Sequence, residues 1–134
     1  MLKLSDIREW VKTLGVGEHF YTGKLENKKE KSVGIYHRPS YGKAEIAIGG
    51  LDATKTKSKQ LSILVHWTKY SDETETAAQK LYDTIMASEN VTIAGKHVDY
   101  IALDMPEPAD VGTDAAGVYE RVIWLTIYYQ RGEE

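Results

Sequence analysis

The strongest pattern of strand-forming residues lies in the last third of the chain. Residues 118–131 are rich in β-branched and aromatic side chains and contain almost no residue that interrupts a strand. Such a run is typical of the central strand of an antiparallel sheet. A second strand is predicted upstream, where Leu61, Ile63 and Val65 recur at every second position. This period of two indicates a strand with one buried face.

The first of two helical patterns lies near the N-terminus. This helix is predicted to begin at the capping residue Ser5 and to end near Leu14, just before Gly15. Ile7 and Val11 repeat at helical spacing, so they form the stripe that packs on a sheet. A glycine directly after the last periodic residue is a common helix stop.

The second helical pattern follows the strand at residues 61–67. Asp72 and Glu75 have the spacing of a capping box, and the helix is predicted to end near Ser88. Four apolar side chains share one stripe of this helix and are predicted to be buried: Ala78, Leu81, Tyr82 and Ile85.

Shorter patterns complete the predicted sheet. Three broken strands are predicted at residues 19–21, 32–36 and 44–48, and a compact hairpin at 91–93 and 98–103. Pro106 and Pro108 are predicted to prevent regular pairing until the final strand begins. The segment from Gly49 to Lys59 has no apolar period and is predicted to be an exposed loop.

These elements predict an α+β fold made of two layers. One mostly antiparallel sheet carries two helices packed on one face, within a single domain spanning residues 1–134. The side chains predicted to be most buried are Leu61, Ile63, Val65, Leu81, Ile85, Ile123, Leu125 and Ile127. Trp67 and Trp124 are assigned either to the core or to a contact between subunits.

Composition narrows the class of protein. A chain of 134 residues is long enough to bury one core, and its net charge of -3 argues against a dedicated nucleic-acid binder. It has no cysteine, so disulfides and thiolate metal sites are excluded. No signal peptide or membrane-spanning run is recognisable. We therefore expect the protein to remain in the cytoplasm of the cell that makes it.

No reaction chemistry can be identified in the sequence. The four histidines are widely spaced and no pair has the helical spacing of a zinc site. Asp110, Gly112 and Asp114 resemble the start of a calcium loop, but Ala115 and Arg121 occupy the positions that require glycine and glutamate. A turn stabilised by aspartate side chains is predicted there instead. We expect no catalytic residue, no metal site and no cofactor.

The best candidates for contact with a partner are three alternating lysines. Lys55, Lys57 and Lys59 lie in the predicted loop, where they face either solvent or an acidic or phosphate-bearing partner. Aromatic residues of the final strand and Trp67 are able to stack on bases. Their apolar surroundings and the acidic net charge favour core packing or subunit contact instead.

The order of these motifs resembles a known family. The carriers of the resemblance are Val33-Gly34-Ile35-Tyr36, Ile48-Gly49-Gly50, residues 61–67, Glu75-Thr76-Ala77-Ala78, residues 110–114, Gly117-Val118-Tyr119-Glu120 and Ile127-Tyr128-Tyr129. In this order they resemble the small minor capsid proteins of tailed bacteriophages. They are also similar to the tail terminator, or tail-to-head joining, proteins of long-tailed phages.

The resemblance implies a structural virion protein rather than an enzyme. It implies a homo-hexameric ring at the head-tail junction, made in the bacterial host cytoplasm, which stops tail-tube growth and docks to the head completion or connector protein. Its partners are then other copies of the chain, the tail tube protein, the connector and the genomic DNA, which passes through the lumen without specific binding. No membrane partner is implied. In the family, loops of each subunit project into the lumen or toward the tube, and the segment from Gly49 to Lys59, with Lys55, Lys57 and Lys59, is the best candidate for such a loop in this sequence.

Two other classes of function stay open at this stage. The first is a binding module for a small molecule or nucleic acid with a similar open sheet, which a solution mass would separate from a ring. The second is a small α+β hydrolase whose site assembles from distant residues. A pocket where histidine and carboxylates converge would favour the hydrolase.

Overall fold

The computed structural model describes residues 1–25, 29–39 and 56–131. The strand predicted at 44–48 lies outside these residues. The elements follow one another as α1 (Leu4–Lys12), β1 (His19–Thr22), β2 (Ser32–His37), β3 (Thr56–His66), α2 (Ser71–Met86), β4 (Thr92–Ile93), β5 (Lys96–Leu103), β6 (Ala109–Thr113) and β7 (Tyr119–Gln130).

The final strand is central, as the sequence predicts. The strand order is β1-β2-β3-β7-β5-β4, and β6 also pairs with β7. One edge of β7 pairs with β3 from Glu120 to Gln130. Its other edge pairs with β5 and β6 in succession. The predicted hairpin is also confirmed, since β4 pairs with β5 in antiparallel register around a turn at residues 94–95.

The prediction that pairing stops after Pro106 and Pro108 until the final strand is wrong. The strand β6 pairs with β7 through Ala109 and Asp110, directly after the second proline. The two prolines lie in the short connection between β5 and β6. A proline removes a donor only at its own position, so the strand resumes as soon as residues with backbone N–H groups return.

The α+β class is confirmed, but a two-layer, mostly antiparallel sheet is too simple a description. The pair β1–β2 is parallel, so the sheet is mixed. Helix α1 contacts both β1 and β4, which lie at opposite ends of the strand order. One short helix can touch both ends only if the sheet curls around it. The sheet is thus curled like half a barrel.

The core lies between the curled sheet and the two helices. All eight side chains predicted to be most buried are at most 1% exposed, which confirms that prediction. Ile7 and Val11 of α1 belong to the same apolar cluster as Leu81 and Ile85 of α2. On β3 and β7 the odd-numbered positions face this cluster. The even-numbered positions face outward, and we call that side the outer face.

Both helices form where predicted, but their first residues differ from the prediction. In α1 the N-cap is Lys3, whose backbone N–H donates to the Asp6 carboxylate at 2.9 Å. In α2 the N-cap is Tyr70, and the Thr74 hydroxyl donates to its carbonyl oxygen at 3.1 Å. A capping role for Ser5 or Asp72 is therefore wrong. Neither described helix is long and apolar enough to cross a membrane.

Candidate assembly surfaces

The structure divides the three predicted partner lysines. Lys55 lies outside the described residues, whereas Lys57 and Lys59 belong to β3. A loop at residues 56–59 is therefore a wrong prediction. These residues pair with 127–130 of β7, and that long partner strand supplies a hydrogen-bonded ladder despite the lack of apolar alternation.

Lys59 is part of the fold rather than a surface charge. It is half-buried on the helix side of the sheet, and its Nζ donates to the Leu2 carbonyl oxygen at 2.6 Å. Burial lowers the pKa of the Lys59 ammonium, although Asp6 opposes this shift. Lys59 thereby ties the start of α1 to β3.

Two further lysines, Lys57 and Lys96, lie close to the N-terminal residue Met1. Loss of solvation, followed by repulsion from Lys96 and Lys57, lowers the pKa of the Met1 α-amino group. Lys96 Nζ also donates to the Arg131 carbonyl oxygen at 3.1 Å. We call Met1, Lys57, Lys59 and Lys96 the cationic corner. It lies where the ends of β3, β5 and β7 meet.

A polar cluster crosses the outer face of the sheet. Arg38 Nη2 lies 2.6 Å from an Asp104 carboxylate oxygen, which also accepts a 2.7 Å hydrogen bond from the Thr126 hydroxyl. The Arg38 guanidinium carbon lies 5.0 Å from the centre of the Trp124 ring. These contacts join residues beside β2 and β5 to the central strand. The cluster leaves Trp124 43% exposed.

A second polar cluster closes the opposite end of β3. His66 is 1% exposed, and its Nδ1 lies 2.8 Å from a Glu120 carboxylate oxygen. Its Nε2 lies 3.8 Å from Asp114 Oδ2. The other Asp114 oxygen accepts backbone hydrogen bonds from Ala116 and Val118. The aspartate-stabilised turn predicted in this region is thus confirmed, and His66 fastens it to the sheet.

The His66 cluster bears on the hydrolase alternative. A histidine and two carboxylates converge there, and buried Ser32 is the register partner of His66. The Ser32 hydroxyl, however, donates to the Lys29 carbonyl oxygen at 2.5 Å. With 1% exposure, His66 is closed to any substrate. The arrangement is therefore structural. Within the described residues, no three histidine or carboxylate side chains are arranged so that they could hold a metal ion.

A groove lined by both polar and apolar side chains lies along the free edge of β5. It has a volume of about 350 Å³ and lies between the C-terminal end of α2 and β5. Met86 and Tyr100 flank it and are 62% and 64% exposed. Val91 and Ile101 contribute partly buried side chains. We call this feature the β5 groove.

The predicted aromatic set is split between core and surface. Tyr129 is buried and Trp67 is partly buried, while Trp124 is exposed on the outer face. Tyr128 pairs with Tyr100 at a ring-centre distance of 6.1 Å. The alternation of residues along β7 is sufficient to predict that Trp124 lies on the opposite face of the sheet from Ile123 and Leu125. No periodic pattern predicts the Arg38 cluster, because its hydrogen-bonded side chains are 22 to 88 residues apart in sequence.

The described polar clusters tie elements together, and several large apolar side chains, among them Trp124, Tyr100 and Met86, are exposed. The fold is that of an α+β protein with a curled mixed sheet. Residues 1–131 match the bacteriophage tail terminator protein family, so the chain belongs to that family. It is a family of structural proteins, and membership makes this protein a component of the phage tail and of the virion. Among curated proteins, no individual relative matches the chain.

Proposed function

We propose that this protein forms a ring that ends the growing tail tube and joins the tail to the head. The observation that carries the proposal is the family match over residues 1–131, on a fold that exposes large apolar side chains such as Trp124 and Tyr100. In this proposal the ring is a hexamer, because a terminator must repeat the symmetry of a six-fold tube. Such a ring needs two different surfaces on each subunit, closed by rotation.

The proposed partners are the tail tube protein on one side and the head completion or connector protein on the other. The outer face with Trp124 suits such docking, since tryptophan beside arginine is typical of the residues that dominate binding energy. The ring sits at the head-tail junction of the virion after synthesis in the host cytoplasm. The name minor capsid protein fits the same role.

The cationic corner is the proposed surface for a charged partner. Lys57 is exposed there, while Lys59 is held by the Leu2 carbonyl oxygen. Positive charge at one corner of a chain with net charge -3 accelerates encounter with an acidic partner without general affinity for DNA. This lets genomic DNA pass through the lumen without specific binding.

The direct test is tube growth in the presence of the protein. Purified tail tube protein is polymerised with and without a stoichiometric amount of this chain, and tube lengths and ends are measured by electron microscopy. We expect shorter tubes that end in a six-fold ring. Native mass spectrometry of the chain alone and with short tubes gives the subunit number. A chain that stays monomeric and never binds tube ends would overturn the proposal.

A further inference from the structure

The outer edge of β5 is open for strand pairing. The Asp104 N–H donates to the Trp124 carbonyl oxygen at 2.8 Å, which sets the hydrogen-bonding phase between β5 and β7. Along a strand of an antiparallel pair, the backbone N–H and C=O groups of successive residues point alternately toward and away from the partner strand. The N–H and C=O groups of Ile101 and Leu103 therefore point away from β7. Within the described residues, β4 pairs with β5 at Lys96 and His97, and the Val98 N–H donates to the Val91 carbonyl oxygen at 2.9 Å. A bulge between Val98 and Tyr100 shifts the register with β7, so the open part of the edge is residues 101–103. These residues contain neither lysine nor proline, two of the usual protections of an edge.

The other end of the described sheet is also an edge. Strand β1 pairs in the described part of the chain with β2 alone. Phe20 is partnered with Val33 and shares its core side, while Tyr21 is partnered with Gly34 and lies on the outer face. All four β1 residues are only partly buried.

We propose that the β5 edge of one copy pairs with the β1 edge of a second copy. This inference rests on the ring of the proposed function and names the surfaces that build it. Because β4 covers only the start of β5, the open part of β5 and strand β1 are edges on the two sides of one sheet. Their pairing is heterologous, the type of contact that builds a ring when its rotation closes. The faces also match. Phe20 falls on the side of Ile101 and the β5 groove, and Tyr21 falls on the side of Tyr100. Apolar and aromatic neighbours across strands stabilise such a junction.

Cysteine cross-linking tests this pairing cleanly, because the chain has no cysteine of its own. Two single variants, His19→Cys and Tyr100→Cys, place one thiol each on the outer face of β1 and of β5. They are mixed before assembly, tail tube protein is then added, and the mixed assembly is treated with a short bis-maleimide that tolerates small shifts of register. We expect a covalent dimer in the mixture and almost none in either variant alone. Thr76→Cys, on the exposed face of α2, replaces Tyr100→Cys in the control mixture.

A charged substitution on the β5 edge provides a second test of the pairing. Tyr100→Lys should raise the concentration needed for ring assembly on the order of tenfold, since a lysine on an edge strand opposes pairing. Tyr70→Lys is the matched control, because Tyr70 is an equally exposed aromatic at 67% and lies at the start of α2. Thermal melting should be nearly the same for both variants.

The outcomes separate the inference from the proposed function. A dimer in the mixture together with selective loss of assembly in Tyr100→Lys supports the inference. A normal six-fold ring without a cross-link in the mixture overturns it and leaves the terminator role intact. Cross-linking of Tyr100→Cys to itself also overturns it, because the β5 edges would then meet each other. Absence of any ring, with or without tube protein, overturns the proposed function and this inference with it.

Discussion

The ammonium group of Lys59 is a structural donor, so its removal should reduce stability. In Lys59→Met the side chain keeps most of its packing but the Leu2 carbonyl oxygen loses its 2.6 Å donor. We expect a loss of about 1 kcal/mol in the free energy of unfolding, measured by urea denaturation. Lys80→Met, on the exposed side of α2, serves as control and should change that free energy by less than about 0.5 kcal/mol. Equal effects of the two substitutions would refute the structural role.

The same pair of proteins has an expected dependence on pH. Burial lowers the pKa of Lys59 below its ordinary 10.5. Between the lowered pKa and 10.5, the unfolded chain therefore binds more protons than the folded one. The stability of the natural chain relative to Lys59→Met should therefore rise as the pH increases toward 10.5. Burial, with a smaller effect of Glu120, raises the pKa of Tyr36, but Tyr36 is common to both proteins and cancels from the difference.

His66 gives a larger expected effect than any exposed histidine. His66→Leu removes the partner of two carboxylates that are only 18% and 10% exposed. Removing the imidazole leaves the part-buried Glu120 carboxylate without its 2.8 Å hydrogen-bond partner, which should cost about 2 kcal/mol in the free energy of unfolding. His37→Leu provides the comparison, since His37 is exposed at the end of β2. If both variants melt alike, the His66 cluster does not stabilise the fold.

At the level of single residues, sequence reasoning identified the core but not the polar clusters. Leu61 and Ile123 stand in regular alternation, which reports burial directly. His66 occupies an outward-facing position of the same strand as Leu61, so alternation predicts that it is exposed. It is buried because Glu120 and Asp114 lie over it. The sequence around Lys59 is likewise that of a solvated lysine, because the contact of its ammonium group with the Leu2 carbonyl oxygen is visible only in the structure. Partners that are distant in sequence leave no periodic signal.

The connection between α1 and β1 depends on a glycine that no other residue replaces well. Gly17 has a φ of +111°, and a Cβ there would lie 2.9 Å from a methyl group of buried Val33. Gly17→Ala should cost about 3 kcal/mol, because backbone strain and overpacking both contribute. Gly15→Ala separates the two terms, since Gly15 has a φ of +80° but no neighbouring atom within 4 Å of the place where its Cβ would lie. That control should cost only about 1 kcal/mol in thermal denaturation.

Element prediction succeeded where periodicity was long and failed where pairing decided the outcome. Both helices, the hairpin and the central strand follow their patterns closely. Strand β6 and the first residues of β3 do not, because neither has an apolar alternation of its own. Each becomes a strand by pairing with β7. A stable central strand can therefore recruit polar neighbours that sequence alone assigns to loops.

At the scale of the molecule, α1 should couple the two ends of the sheet. Ile7→Ala should destabilise the protein by about 2–4 kcal/mol, because it creates a cavity at a fully buried site. Amide exchange should accelerate in both β1 and β4, since α1 contacts both strands. Ile85→Ala is the matched core variant in α2, which contacts β3, β5 and β7 instead. Faster exchange in β1 but not β4 after Ile7→Ala would argue against the curled arrangement.

The cationic corner should matter for assembly more than for folding. Lys57→Ser should change the free energy of unfolding by less than about 0.5 kcal/mol, because Lys57 is exposed. Tail joining should be slower and more sensitive to salt, since exposed charges at an interface chiefly govern encounter. The readout is the yield of infectious phage from a complementation assay, with Lys80→Ser as control. Normal yield from Lys57→Ser would remove this lysine from the proposed mechanism.

The curl of the sheet and the parallel β1–β2 pair were beyond sequence reasoning. Counting elements predicts how many layers a domain has, but strand order and curvature arise from contacts between distant segments. Helix α1 has the same amphipathic pattern whether it lies on a flat sheet or inside a curled one. Its contact with β4 distinguishes the two arrangements.

The position of β7 also makes the whole sheet depend on one segment of the chain. Strands β3, β5 and β6 all pair with β7, which is formed by residues 119–130. A chain that lacks this segment leaves three strands without their shared partner and has no complete sheet. In the ring that we propose, such a fragment has no intact subunit surface to contribute, so the loss of one strand removes the subunit from assembly.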